Sequence, residues 1–250
     1  MVVTNFPWLT VLVALPAAGA ALLGFVPPLR RAAGRVIALA IALVELAIGV
    51  YAAVTVFDWS APASYQLYES RAWIPQIGVT WSVAVTSLGL VMILLALALV
   101  PLVLIAGWDE DEDRGAYPAL VLALQAFMVL IFAAFDLAVF YFAFEAMLIP
   151  LYFMIGRYGV GDEAARHKAA MKFLLYSLFG GLIMLGGVLF IWALGSSTQS
   201  NTVAFFRMDT LAALLPNLSA SVQMVVFVSF MVTFAIKAPM VPVHTWLPDT

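Results

Sequence analysis

Cysteine is absent from this chain, and histidine occurs only twice, at His167 and His244. Without thiols no disulfide, thiolate iron-sulfur cluster or cysteine-ligated zinc site can form, and two imidazoles offer little for haem or zinc. Any electron chemistry is therefore expected on other chains. Charge is scarce too, at 10% of residues, and the formal net charge of -3 comes with no basic stripe, which argues against nucleic acid as a partner. Apolar surface is what the chain has in excess. With 65% hydrophobic residues and a mean hydropathy of +1.09, it has the composition of a protein whose solvent is the lipid bilayer.

A hydrocarbon core about 30 Å thick takes about 20 apolar residues per helix, and about seven stretches of the chain meet that length. They fall at 8–28, 35–57, 81–106, 117–135, 137–156, 171–194 and 222–246. The first lacks a basic n-region and is followed by further spans, so it reads as a retained helix and not as a signal peptide. Numbering the loops alternately puts Arg30, Arg31, Arg35, Arg114, Arg157, Arg166, Lys168 and Lys172 on one side, and Arg71 and Arg207 on the other. By the positive-inside rule the first side is cytoplasmic and the N-terminus external. The acidic run Asp109–Asp113 is then a cytoplasmic loop, either simply solvated or a docking patch. Between Tyr65 and Trp81, alternating residues around Trp73-Ile74-Pro75 and Gly78 predict a short external hairpin. The polar stretch Ser196–Thr202 reads as a solvated external turn. Two parts are expected: 1–110, with the first three helices and the hairpin, and 111–250, with the remaining four.

Ionisable residues inside such spans mark function by default, because a charge at the bilayer centre costs at least about 3 kcal/mol. Glu145 lies about 12 Å into its helix, near the midplane. It is either a proton-carrying group or a neutral acid hydrogen-bonded to a neighbouring helix. Lys237 stands at the end of an apolar run and is followed by Pro239 and Pro242. Prolines at that depth predict a broken helix beside a cavity, while the alternative is a lysine that snorkels to the interface. Counted from Val222, Lys237 falls about 22 Å down, so depth alone does not pair it with Glu145.

Other groups carry weaker signals. His244 would share a face with Lys237 on an unbroken helix, which suits a relay, or else it caps backbone groups released by Pro242. Lys172 opens the sixth span as a proton-entry group or a snorkelling residue. Glu45 falls mid-span with no interpretable motif around it, and Asp136, at the junction of two spans, reads as an N-cap. Ser177, Gly180, Gly181, Gly186 and Gly187 make the sixth span a surface for close helix packing.

Three strings together carry a family resemblance: Phe144-Glu145-Ala146-Met147-Leu148-Ile149-Pro150, Lys172-Phe173-Leu174-Leu175-Tyr176, and Lys237-Ala238-Pro239 through His244-Thr245-Trp246-Leu247-Pro248-Asp249. They resemble the antiporter-like M-type (mitochondrial subunit 4) membrane subunits of respiratory complex I, the proton-translocating NADH-quinone oxidoreductase. The resemblance implies an all-α polytopic fold, the first part of a fourteen-helix subunit with inverted repeats and a broken helix seven. It implies that Glu145 and Lys237 transfer protons, with His244 and Lys172 as possible relays, driven by quinone reduction elsewhere in the complex. NADH, FMN, iron-sulfur clusters and quinone belong to partner subunits, and the antiporter-like L and N subunits are neighbours in a bacterial-type inner membrane. Two departures stand out. Phe144 occupies a position where the family usually has Trp, and Thr86-Ser87 stands where Asp-Gly is frequent. The second repeat, with its own lysine and glutamate, is expected beyond Thr250. Competing readings are a subunit of an Mrp-type sodium/proton antiporter and a purely structural membrane scaffold.

Overall fold

The computed structural model describes residues 6–108, 115–196 and 204–250. Asp109–Asp113, Arg114 and most of the Ser196–Thr202 turn lie outside the described residues, as do the side chains of Arg30 and Arg31. Contacts gather the chain into two units, Met1–Ser70 with Ser82–Phe135, and Arg71–Trp81 with Asp136–Thr250. Among the described residues six helices are long and apolar enough to cross a membrane, and Tyr117–Ala133 is a shorter apolar helix.

In the first unit, helices α1 (Trp8–Phe25) and α2 (Pro27–Thr55) are separated by Val26 alone. A non-helical Ala33 (φ -147°) kinks α2, leaving Ala33–Thr55 as its apolar span. Pro7 has no side-chain acceptor for the free N–H groups that open α1, and Glu69 supplies one instead. Its carboxylate accepts from the Leu9 N–H at 2.7 Å and the Thr10 hydroxyl at 2.5 Å. Burial pushes the Glu69 carboxyl above the usual range, against the pull of these bonds.

The predicted hairpin is present as strands β1 (Gln66–Ile74) and β2 (Val79–Val85), joined through a turn at Pro75–Ile77 and Gly78. Gly78 takes φ +78°, a region that residues with a Cβ enter at a penalty. The strand corrects one expected boundary. The third span starts at Ser87, not 81, because Val79–Val85 carries β-branched and aromatic residues that suit a strand, and the Thr86 side chain caps the new helix by accepting from the Gly89 N–H. Helix α3 covers Ser87–Ala106 and α4 covers Tyr117–Ala133. Helix α4 packs along α1 within the first unit.

The second unit begins at Asp136, which caps α5 (Leu137–Ala146) as its position predicts. One carboxylate oxygen accepts from the Ala138 N–H at 2.9 Å, and the other from the Thr80 N–H at 2.9 Å and hydroxyl at 2.8 Å. Asp136 is fully buried, and burial pushes its carboxyl up while these bonds pull it down. The expected single helix 137–156 is interrupted at Met147, where α6 (Leu148–Tyr158) takes over. Pro150 explains the interruption, since it has no N–H to give the Ala146 carbonyl. Helix α7 runs from Glu163 to Ser196, so Lys172 lies well inside it and does not open it. A short α8 (Met208–Leu214) precedes α9 (Ala220–Lys237). Helix α9 stops at Lys237, not at 246, because Pro239 disfavours helical backbone at Ala238 and cannot donate a helical N–H itself.

Candidate functional site

The abrupt end of α9 leaves carbonyls that need partners, and the tail supplies them. The Phe234 carbonyl accepts from the Ala238 N–H at 2.7 Å, and that of Ala235 from the Met240 N–H at 2.8 Å. The Ile236 carbonyl accepts from the Trp246 indole N–H at 2.9 Å. A side chain ten residues on thus closes the helix end. The Trp246 ring is buried with Leu148 of α6 and Phe173 of α7, at 5.3 Å from the Phe173 ring. Lys172 holds the rest of the tail through the Thr245 carbonyl and through Asp249 at 2.7 Å, while the Thr245 hydroxyl bonds Tyr176 at 2.8 Å. The hydrogen bond and charge of Lys172 hold the exposed Asp249 carboxyl below its ordinary range.

This folded tail leaves Lys237 pointing at α5. Its ammonium donates to the Phe144 carbonyl at 3.0 Å and sits 4.0 Å from the centroid of the Phe144 ring. That ring is itself enclosed by Phe140 at 5.5 Å and Phe234 at 6.0 Å. The depth count that separated Lys237 from Glu145 is therefore corrected: the lysine touches the residue next to the glutamate. The count assumed that both helices begin at one level, but α5 starts from Asp136, already buried against Thr80.

The Glu145 side chain takes no part in a hydrogen bond, although both its oxygens are shielded from solvent. Its carboxylate instead rests on Gly181 of α7, where a Cβ would collide with both oxygens. Lys237 makes no ion pair with it within 4 Å among the described residues. Polar atoms without protein partners continue along the unit. The Ser177 hydroxyl, one turn before Gly181, and His244 Nδ1 are both buried and unbonded. With the helix broken, His244 does not share a helical face with Lys237.

The small residues of α7 do more than pack. Gly180 lies against Thr233 and Ile236 of α9, its carbonyl accepting from the Thr233 hydroxyl at 2.6 Å, and Gly187 lies against Ser229. Sequence reasoning found Glu145, Lys237 and the close-packing surface. It missed Gly181 as the seat of the carboxylate, Phe144 as the partner of the ammonium, and Asp249 as the partner of Lys172. The one available signal was that Phe144 adjoins Glu145 in the string that carries the resemblance.

Residues 134–250 match the model of the NADH:quinone oxidoreductase/Mrp antiporter transmembrane family, a region that contains every group just described. That stretch of the chain resembles the family. The chain is 37% identical to the NADH-quinone oxidoreductase subunit M of Mycobacterium tuberculosis (strain CDC 1551 / Oshkosh), over 98% of this chain and 49% of that protein. It is 36% identical to an NAD(P)H-quinone oxidoreductase chain 4 of Thermosynechococcus vestitus, over 98% and 45%. The chain thus spans about half the length of the curated relatives it matches. Among solved structures it is similar to a chain of respiratory complex I from Thermus thermophilus, with a TM-score of 0.79, 29% identity and coverage of 96% of this chain and 46% of that one. A chain of the Mrp complex from Dietzia sp. shares the fold, at a TM-score of 0.77 and 20% identity over 96% and 25%.

Proposed function

We propose that this chain is the first half of a proton-translocating membrane subunit of NADH-quinone oxidoreductase, of the M type, in which Glu145 and Lys237 carry the proton. One observation supports the reading above all others. An ammonium and a carboxylate stand on adjoining residues' territory inside apolar helices, and among the described residues neither is neutralised by an ion pair. A structural role would be served better by a closed salt bridge, because a buried charge left without a counterion is destabilising. An open pair instead lets the proton affinity of each group follow small movements of the other.

The lysine's surroundings favour such movement. A carbonyl oxygen and an aromatic face both attract an ammonium without accepting its proton for good. Helix α5 is weakened immediately beyond Glu145 by Pro150, and α9 ends at Lys237, so both groups sit at breaks where a short shift is cheap. His244 and Ser177 add polar atoms that water can use on the way to the pair. Lys172, held by Asp249 and the tail, is better suited to fixing the broken end than to relaying protons.

The wider proposal follows the relatives. The M-type and chain 4 relatives exceed the Mrp chain in identity, and the Mrp likeness carries the fold alone. Redox cofactors and quinone then reside in partner subunits, L- and N-type subunits flank this one, and the basic loops face the cytoplasm of a bacterial-type inner membrane. The test is Glu145→Gln in the full-length subunit. The assembled complex should keep its quinone reductase activity in detergent and lose most of its proton translocation in vesicles. Undiminished translocation would refute the assignment.

A further inference from the structure

Another buried acid, Glu45, lies in the first unit. The buried face of α2 is a stripe of small residues, Gly34, Ala38, Ala42, Gly49, Ala52 and Ala53, interrupted once, by Glu45. Glu45 is wholly buried, and neither of its oxygens has a hydrogen-bond partner. The same holds for Gln125 on α4, whose amide oxygen and nitrogen are both buried and unbonded on an otherwise apolar face. An unmade hydrogen bond at a buried polar group costs about 1–3 kcal/mol, so two such side chains in one unit require an explanation.

Packing contacts put the two at one level. Ile41 of α2 and Leu122 of α4 both abut Gly19 of α1, at 2.6 and 2.9 Å from where a Cβ would stand. Helices α2 and α4 run in the same direction, because each is antiparallel to α3. Gly49, late in α2, meets Leu94 and Leu97 midway along α3, while Gly89 at the start of α3 meets the Phe132 carbonyl at the end of α4. Glu45 is one turn beyond Ile41 and Gln125 one turn beyond Leu122, so both occupy the same layer on the same inward faces.

The backbone adds acceptors to that layer. Pro16 is buried inside α1 and Pro101 inside α3. A proline within a helix leaves the carbonyl four residues earlier without its donor, here those of Leu12 and Leu97. Gly19 lies beside Ile41, so the turn Leu12–Pro16 runs alongside Glu45; Leu97 lies beside Gly49, so the turn Leu97–Pro101 does the same from α3. The packing thus assigns a carboxyl, an amide and two carbonyls that lack a proline N–H donor to one buried layer. Ionised, an unpartnered carboxylate there would be prohibitive, whereas the neutral acid is one hydrogen-bond donor for this set of acceptors.

We propose that Glu45, Gln125 and the carbonyls of Leu12 and Leu97 form a hydrated site that holds an exchangeable proton on Glu45. Water bound by two to four polar partners is how buried polar groups of this kind are ordinarily satisfied. The site is independent of the Glu145 and Lys237 reading and stands or falls separately.

Infrared difference spectroscopy on the assembled complex tests it, comparing wild type with Glu45→Gln and Gln125→Leu in H2O and D2O. The wild type should show a protonated-carboxyl C=O band that shifts in D2O, is lost completely in Glu45→Gln, and persists but moves in Gln125→Leu. A band indifferent to D2O, absent from the wild type, or unmoved by Gln125→Leu would overturn the proposal. Should Glu45→Gln fail to assemble, a density map of the wild-type complex decides. Ordered water within hydrogen-bonding distance of the Gln125 amide supports the site, and dry packing around it refutes it.

Discussion

The carboxylate of Glu145 rests on the Cα of Gly181, with no room between them for a methyl group. Gly181→Ala therefore has to displace the carboxylate, and overpacking of this kind costs about 1–3 kcal/mol. Proton translocation by the assembled complex should fall several-fold. Gly187→Ala is the control, since it crowds the Ser229 hydroxyl instead. It should lower thermal stability comparably and leave translocation near wild type. Equal translocation in both variants would deny Gly181 its positioning role.

Phe144 holds Lys237 twice, by carbonyl and by ring. Phe144→Leu keeps the first contact and removes the second, which is worth about 0.5–2 kcal/mol for a ring facing an ammonium. Thermal unfolding of the subunit should come at a lower temperature in the Leu variant and no lower in Phe144→Trp, because indole is the stronger cation partner. A Leu variant as stable as wild type would show that the ring is only packing.

Trp246 tests how the broken end of α9 is held. Trp246→Phe preserves an aromatic ring against Phe173 but leaves the buried Ile236 carbonyl without its donor, a loss of about 1–3 kcal/mol. Trp246→Ala empties the pocket as well, at about 3–5 kcal/mol. Limited proteolysis of the segment after Lys237 should accelerate in that order.

The tail should also respond to acid. Asp249 has its carboxyl held down by Lys172, so its folded value lies below the ordinary 3.8. The contribution is complete above the unfolded value and disappears as pH falls through the folded one. Protection of the tail from an acid-active protease should therefore drop in that interval for wild type. Asp249→Asn should show no such step.

Glu69 carries the opposite sign. Burial raises its folded value above the ordinary 4.5, so its contribution is complete below the unfolded value and is lost as pH rises through the folded one. Glu69→Gln keeps an acceptor for the start of α1 and should flatten this slope of stability against pH. Glu69→Ala loses the cap, for about 1 kcal/mol. Parallel slopes in wild type and Glu69→Gln would contradict the assignment.

Much of this was legible in the sequence, and the reasons are particular. Apolar runs of bilayer length report spans directly, Gly78 and Pro75 report the hairpin turn, and Asp136 before an apolar run reports a cap. Pro239 reports the end of α9, though the hydropathy of Met240–Trp246 extended the predicted helix across it. What stayed hidden depends on register between distant segments. Which residue of α7 meets Glu145, and which ring receives Lys237, follow from helix packing that no local pattern encodes. Depth counting failed for a related reason, because it takes every helix to start at one level, and the levels at which helices start depend on how they pack.

The central claim is that Glu145 and Lys237 act as one proton-transferring unit. Protons translocated per NADH oxidised, measured in vesicles for Glu145→Gln, Lys237→Ala and the double variant, test it most directly. Groups acting as a unit are non-additive. Each single variant should lose most translocation, and the double variant no more than the worse of the two. Wild-type stoichiometry in either single variant, or losses that multiply in the double, would contradict it.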